Sequence, residues 1–202
     1  MLAFMFSINK IKQLFFYLGF ILSLIPCYVN ADQAINSRGP LELVKPYIPE
    51  NPVILEAGGH YGEDTVKMIR FWPEATIYTF EPNPFAFDIL KKITSSFPRI
   101  IISPLALYDY TGIVKFNIQQ TENNDGASSI LEANHVYYSD IPISVACTTL
   151  DDWEKNHNFI AIDFMWLDME GVELYVLKKG TNLLKNVKAI YTETNFTIFR
   201  QL

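Results

Sequence analysis

The sequence predicts an α/β fold built on a mostly parallel sheet with helices on both faces. Short apolar runs with the composition of strands alternate along the chain with segments of helical periodicity, the order that parallel sheets with crossover helices require. Three of these runs end on a carboxylate, at Glu81, Asp168 and Glu193, and another enters the glycine-rich turn at residues 58–62. Because ligands of such sheets bind beyond the carboxyl ends of the strands, we expect a site at that edge.

Length and composition predict one domain, because 202 residues with 50% hydrophobic content are enough for one sizeable core. Residues 53–202 are expected to form it. Residues 32–52 contain four prolines among mixed polar residues, so we interpret them as an extended or single-turn lead-in linker. The formal net charge of −6 argues against a nucleic-acid partner bound through a basic face.

Residues 1–31 have the pattern of a signal peptide or membrane anchor. Lys10 and Lys12 precede an uncharged, largely apolar run at residues 13–29, and Ala31 stands where a signal peptidase prefers a small residue. The run is a little short for a spanning helix, which favours cleavage over anchoring. We therefore expect an exported or membrane-associated protein, or a cytoplasmic one if this segment is not used.

The first half of the domain predicts two strand–helix units and a third strand. The strand segments are β-branched, aromatic or continuously apolar, and in the helix segments apolar residues recur at three- and four-residue steps. In chain order the expected elements are a strand at 53–57, a helix from about 63 to 71, a strand at 76–80, a helix from 84 to about 97 and a strand at 100–102.

The second half predicts further alternation around a polar loop. Alternating apolar residues indicate a partly exposed strand, the polar stretch after it a surface loop, and Thr149 has the side chain of a helix N-cap. In chain order the expected elements are a strand at 113–117, the loop at 119–129, a strand at 142–147, a helix at 150–155, a strand at 164–167, a helix from 172 that Gly180 weakens before 184, and a strand at 188–192.

The first candidate site is the turn that contains Gly58, Gly59 and Gly62. Glycines at the end of a strand leave backbone N–H groups and a helix N-terminus accessible to a ligand. Glu81 stands 23 residues after Gly58 at the end of the next strand, where a carboxylate can accept hydrogen bonds from both hydroxyls of a ribose. The pattern predicts a nucleoside ligand.

The spacing of the turn indicates which nucleoside. The dinucleotide pattern G-x-G-x-x-G would require a glycine at His60, which argues against NAD. S-adenosylmethionine has no pyrophosphate and tolerates looser glycine spacing, so it is the cofactor we expect. Glu56, just before the turn, either faces the ammonium group of that cofactor or makes a structural hydrogen bond to the turn.

The second candidate site is the acidic segment at residues 168–173. Asp168, Glu170 and Glu173 stand within six residues beside Gly171, and carboxylates so close repel unless they are solvated, protonated or facing a cation. We assign the candidate catalytic role to Asp168 and Glu170. Glu173 also has a structural explanation, a favourable interaction with the helix dipole. No histidine has a paired ligand at metal spacing, so no metal site is predicted.

Taken together, these motifs resemble those of FkbM-type S-adenosylmethionine-dependent methyltransferases. The matching segments follow in the family's order and spacing at residues 56–63, 80–82, 106–112, 149–152 and 167–173, and the D-x-E-G-x-E signature in the last is the most specific. The resemblance implies a Rossmann-like class I methyltransferase fold. It also implies methyl transfer to an oxygen of a small molecule or glycan.

In the family's terms Gly58, Gly59, Gly62 and Glu81 fall on cofactor positions, and the acidic signature lies beside the acceptor site. Departures are the tryptophan at position 166, where many members have lysine, and a sequence that stops before two further strands of the family fold. We therefore expect a minimal or truncated domain with an exposed sheet edge.

Two other functions remain open from the sequence. An exported, catalytically degenerate binding protein is consistent with the signal-like segment, because S-adenosylmethionine is made in the cytosol. A nicotinamide-dependent oxidoreductase is the less favoured alternative. His60 is a second candidate for the base, although a histidine in a glycine turn more often makes a local hydrogen bond.

Overall fold

The computed structural model describes residues 2–7, 39–119, 126–132, 138, 141–158 and 160–194. The elements in chain order are β1 (Leu2–Ser7), α1 (Pro40–Val44), β2 (Val53–Ala57), α2 (Glu63–Phe71), β3 (Thr76–Phe80), α3 (Pro84–Thr94), β4 (Ile100–Ser103), β5 (Ala106–Leu107), β6 (Gly112–Phe116), β7 (Ile143–Thr148), α4 (Leu150–Asn156), β8 (Phe164–Leu167), α5 (Glu173–Leu177) and β9 (Ala189–Thr194).

The main sheet has six strands in the order β1-β9-β8-β2-β3-β4. The five strands from β9 to β4 are parallel to one another, and β1 pairs antiparallel with β9. A second sheet of three short strands, in the order β5-β7-β6, lies beside the first. The predicted α/β fold with a mostly parallel sheet is confirmed.

Consecutive strand residues point to opposite faces of the sheet and enter two separate cores. Ile54 and Phe164 join a buried cluster with side chains of α1 and α2, while Leu55 and Met165 join a second cluster with side chains of α4 and α5. Strands buried on both faces explain the continuous apolar runs in the sequence. Helices therefore cover both faces, as predicted.

The helix predicted from residue 172 is much shorter in the structure. α5 ends at Leu177, and a short 3-10 helix follows at Leu183–Lys185. A side chain at Gly180 would begin 2.6 Å from Leu150 Cδ1, so the glycine lets the chain turn close against α4 there without displacing this leucine.

Part of the predicted lead-in linker contributes to the core. Leu41 and Val44 on α1 are 4% and 0% exposed, and both pack in the cluster that contains Ile54. The prediction of an exposed sheet edge beyond the last parallel strand is wrong, because the backbone of β1 pairs with β9 along residues 189–194. The apolar run at 13–29 lies outside the described residues, and no helix in the described part of the chain is long and apolar enough to cross a membrane.

Candidate functional site

A cavity of about 300 Å³ lies at the carboxyl ends of β2, β3 and β8. The glycine turn after β2, the segment after β3 and the acidic segment after β8 form its polar walls. Glu63 and Asp64 at the start of α2, residues 105–107, and side chains from β6 and the segment 126–130 form the rest. Its position is the one expected for the ligand of a parallel sheet.

The glycine turn folds back onto the end of β3. The backbone N–H groups of Gly58 and Gly59 both donate to the carbonyl oxygen of Phe80, at 3.0 Å each. Gly58 has a φ of +90°, and a Cβ at this position would overlap the carbonyl oxygen of Asp168. Glycine is therefore required here both for the backbone conformation and for the close approach of the acidic segment.

Glu81 is fixed at the cavity wall by two backbone groups. Its Oε2 accepts a hydrogen bond of 2.8 Å from the N–H of His60, and its Oε1 accepts one of 2.7 Å from the N–H of Asn83. The residue is 5% exposed and lines the cavity. A buried carboxylate in a fixed orientation is an acceptor pair for two neighbouring hydroxyl donors, as the sequence predicts for a ribose.

Gly62, predicted at a cofactor position, does not line the cavity. It is the N-cap of α2 with a left-handed backbone, φ +91°, and a Cβ there would lie 3.0 Å from Leu90 Cδ1 on α3. Its glycine is explained by the turn and by the packing of α3. Gly58 and Gly59 are the two predicted glycines that line the cavity.

Glu56, also predicted at the cofactor site, lies behind the turn. It is 1% exposed, and its Oε2 accepts a hydrogen bond of 2.6 Å from the hydroxyl of Thr65. Burial raises the pKa of this carboxyl from 4.5 to about 7. Glu56 joins the end of β2 to the first turn of α2 and is not part of the cavity lining. This hydrogen bond is structural, but it is made with α2 and not with the glycine turn as the structural alternative expected.

The acidic segment separates its three carboxylates. Asp168 lines the cavity, whereas Glu170, with a φ of +55°, is not part of the lining. The backbone carbonyl of Glu170 accepts a hydrogen bond of 3.1 Å from the Ser129 hydroxyl, which ties the segment at 126–132 to this wall. Of the two predicted catalytic residues, the structure thus places Asp168 at the cavity.

Glu173 holds the acidic segment in shape. Its carboxylate accepts hydrogen bonds from the N–H of Met169 at 2.8 Å and from the N–H of Gly171 at 3.0 Å. These bonds satisfy backbone groups in the sharp turn between β8 and α5. The side chain is 8% exposed, and its function in the structure is to fix the turn that carries Asp168.

The environment of Asp168 makes its carboxyl a weak acid. Burial, followed by the charges of Glu193, Glu170, Glu173 and Asp64, raises its pKa from 3.8 to about 8. Sequence reasoning noted Glu193 only as a strand end and missed Asp64, because their proximity to Asp168 depends on β9 lying beside β8 and on where α2 begins. A carboxyl with a pKa near neutrality is suited to accept a proton during catalysis.

His60 lies at the cavity with a positive φ of 43°. Its ring stacks on Tyr61 at 3.8 Å, and its Nδ1 is 3.7 Å from a carboxylate oxygen of Glu63. These are local contacts within the turn. In the described part of the chain, no group of three or more His, Cys, Asp and Glu residues is arranged to hold a metal ion.

Apolar residues supply much of the lining that sequence reasoning did not assign. Leu105, Ala106 and Leu107 border the cavity, together with Phe116 and Ile130. The strand β5 consists only of Ala106 and Leu107, so it is too short to produce a periodic pattern in the sequence. Its only sequence signal is its place among the segments that resemble the family. An apolar wall beside a fixed carboxylate is suited to a nucleoside, with its base on the wall and its ribose at Glu81.

The similarity of this chain to known proteins agrees with this arrangement. A sequence model described as the Methyltransferase FkbM domain matches residues 56–201. The chain is 31% identical over 156 residues to the 2-O-methyltransferase NoeI of Sinorhizobium fredii (strain NBRC 101917 / NGR234), across 71% of this chain and 63% of that protein. It is 40% identical over 45 residues to the methyltransferase sdnD of Sordaria araneosa, across 22% of this chain and 17% of that protein. The chain spans less than two thirds of each relative.

Among solved structures, the chain is similar to the precorrin-6y C5,15-methyltransferase of Geobacter metallireducens GS-15. The TM-score is 0.38 at 12% identity, over 72% of this chain and 53% of that one. A TM-score this low does not contribute to the family assignment. The family match covers well over half of the chain and includes the glycine turn, Glu81 and the acidic segment. The chain belongs to the FkbM methyltransferase family.

Proposed function

We propose that the chain transfers a methyl group from S-adenosylmethionine to a hydroxyl oxygen of a small molecule or glycan. The observation that carries the proposal is that the fixed carboxylate of Glu81 and the weakly acidic carboxyl of Asp168 line the same cavity. The Glu81 carboxylate can accept hydrogen bonds from the ribose hydroxyls, and the Asp168 carboxylate can accept the proton that the acceptor hydroxyl loses.

The residues at the cavity fit this cofactor. Gly58 and Gly59 line the cavity at the end of β2 without side chains that would fill it, and Glu81 is held by two backbone N–H groups as an acceptor for ribose hydroxyls. S-adenosylmethionine supplies a methyl group on a sulfonium, which is a good leaving group. Catalysis by the protein therefore consists largely of positioning the acceptor oxygen.

Asp168 is the residue that we assign as the base. Its carboxylate accepts the proton from the acceptor hydroxyl as that oxygen becomes a nucleophile. The neighbouring carboxylates Glu193 and Glu170 increase its affinity for the proton. Glu173 keeps the carboxyl in place by fixing the backbone of the turn.

The proposal is tested by incubating the full-length chain with S-adenosylmethionine carrying a labelled methyl group and with pooled sugars, oligosaccharides and small alcohols. We expect S-adenosylhomocysteine to form and the label to appear in an alkali-stable ether, since methylation of a hydroxyl oxygen gives an ether. Cofactor binding without transfer to any acceptor would instead support the degenerate binding protein. A label in an ester or on nitrogen would contradict O-methylation of a hydroxyl.

A further inference from the structure

The described residues that line the cavity include several carboxyl groups and no lysine or arginine. The carboxyl groups belong to Glu63, Asp64, Glu81 and Asp168. The imidazole of His60 also lies in the lining and can gain a positive charge, but a carboxylate oxygen of Glu63 is 3.7 Å from its Nδ1. A ligand that enters this cavity therefore meets a negative electrostatic potential.

The connection between β6 and β7 continues this pattern in the sequence. It supplies Gly126, Ser128 and Ile130 to the lining. No lysine or arginine occurs between Lys115 and Lys155, whereas acidic residues stand at positions 122, 125, 132 and 140. This stretch therefore contains no permanently charged cation that could pair with a phosphate or carboxylate on a ligand.

Carboxylates also surround the position at which the acceptor hydroxyl has to lose its proton. The groups whose charges act on Asp168 are Glu193, Glu170, Glu173 and Asp64. A negative charge on the acceptor would be repelled by the same groups. The bound cofactor offsets part of this repulsion, because S-adenosylmethionine carries a sulfonium, an ammonium and one carboxylate and so has a net positive charge.

Asp64 extends the negative charge of the cavity to the start of α2. It is the second residue of that helix and belongs to the cavity lining. Lys67 Nζ lies 3.5 Å from the Asp64 carboxylate, but both side chains are exposed and Lys67 is not part of the lining. A pair so accessible to solvent compensates little of the charge of the aspartate.

We infer that the cavity selects its methyl acceptor by charge, so that it accepts hydroxyls of uncharged or cationic molecules and rejects hydroxyls of anionic ones. The rejected class includes sugar phosphates, uronic acids and hydroxy acids. The inference rests on the proposed function, because it names the charge class of the acceptor at the same site. Its physical basis is repulsion between like charges at a partly desolvated site, which suppresses the binding of the wrong ligand.

The test offers the full-length chain a mixture of acceptors that differ in charge, together with S-adenosylmethionine carrying a labelled methyl group. The mixture contains equal concentrations of three sets. The uncharged set is alkyl glycosides and alkanols, the cationic set is amino sugars and amino alcohols, and the anionic set is sugar phosphates, uronic acids and hydroxy acids. The alkali-stable labelled products are separated by ion exchange and identified by mass.

Two variants connect the selection to the lining. Asp64→Asn removes one of its charges, and Asp88→Asn is the matched control, because Asp88 is exposed on α3 and is not part of the lining. The affinity for S-adenosylhomocysteine is measured by calorimetry in both variants, which verifies that each still folds with an intact cofactor site.

We expect the wild type to label uncharged and cationic acceptors at least about tenfold more than anionic ones. Asp64→Asn should reduce this ratio about threefold, since one of several charges is lost, and Asp88→Asn should leave it unchanged. Raising the salt concentration from about 0.02 M to about 0.5 M should also reduce the ratio, because salt screens the repulsion.

The other outcomes each contradict a defined part of this account. Anionic acceptors labelled as well as uncharged ones would overturn the inference and leave methyl transfer standing. Cationic acceptors labelled as poorly as anionic ones would also overturn it, because the cavity would then exclude polar molecules in general. A ratio that changes with neither Asp64→Asn nor salt would show selection by shape and overturn selection by charge. No labelled product from any acceptor, with S-adenosylhomocysteine bound normally, would contradict the proposed methyl transfer and the inference with it.

Discussion

The carbonyl oxygen of Asp168 occupies the space in which a side chain on Gly58 would begin. This contact joins the end of β2, which carries the glycine turn, to the end of β8, which carries the acidic segment. The N–H of Asp168 also donates a hydrogen bond of 3.0 Å to the carbonyl of Ala57. The predicted cofactor turn and the predicted base are therefore parts of one rigid arrangement.

Gly58→Ala should destabilise the fold more than an ordinary substitution of a glycine with positive φ. Gly39 supplies the control, since its φ is +72° and a Cβ there would have nothing within 4 Å. Both variants incur the backbone strain, on the order of 1–3 kcal/mol, and Gly58→Ala adds the overlap with Asp168. Urea unfolding should show a loss larger by about 2 kcal/mol for Gly58→Ala. Equal losses in the two variants would contradict the close approach.

Glu81→Gln should weaken the binding of S-adenosylmethionine by about 10- to 100-fold. The amide has one acceptor oxygen, so it cannot accept from His60 and Asn83 as the carboxylate does, and it presents a donor to the ribose. Glu50→Gln, at an exposed position away from the cavity, is the matched control. Calorimetry measures both affinities, and an unchanged affinity in Glu81→Gln would remove the residue from the cofactor site.

The rate of methyl transfer should rise with pH through the pKa of Asp168, about 8. A base must be deprotonated to act, so the rate should fall about tenfold for each pH unit well below that value. Asp168→Asn should abolish turnover while changing cofactor affinity by less than about threefold. A rate that is independent of pH between about 6 and 9 would contradict this role.

Glu170→Gln distinguishes a base from a neighbour that affects the base. The charge of Glu170 raises the pKa of Asp168, so its removal should move the pH–rate profile to lower pH and leave the plateau rate nearly unchanged. The profile is measured from the formation of S-adenosylhomocysteine. Complete loss of turnover in Glu170→Gln would instead place Glu170 among the catalytic residues, as the sequence predicted.

Glu56→Gln should change how stability depends on pH. Because the pKa of Glu56 is about 7 in the folded chain and near 4.5 when exposed, the folded chain holds a proton that the unfolded chain releases between these values. Its contribution to the free energy of unfolding therefore falls as pH rises through that window, by about 3 kcal/mol. Glutamine stays neutral and can still accept from Thr65. Relative to wild type, the variant should gain stability in urea unfolding between about pH 5 and 8, and parallel curves would contradict this.

Local sequence pattern was sufficient to predict most strands and the positions of Gly58, Gly59, Glu81 and Asp168. Each stands at the end of a buried apolar run, and a parallel sheet brings such ends together without further information. The α/β class followed from the same alternation of elements. These are features that depend on residues close together in the chain.

The rest depends on tertiary contacts that no local pattern contains. Glu56 and Gly62 lie within the same motif as Gly58, but Glu56 is bonded to Thr65, Gly62 lies against α3, and neither lines the cavity. Glu193 approaches Asp168 only because β9 pairs with β8. The burial of α1 was missed because its first residue, Pro40, belongs to a proline-rich stretch.

Use of S-adenosylmethionine by this chain is tested by calorimetric titration of the full-length chain with S-adenosylmethionine and, separately, with NAD. We expect saturable binding of one S-adenosylmethionine per chain, competed by S-adenosylhomocysteine, and no heat of binding with NAD. Binding of NAD in preference to S-adenosylmethionine, or of neither ligand, would contradict it.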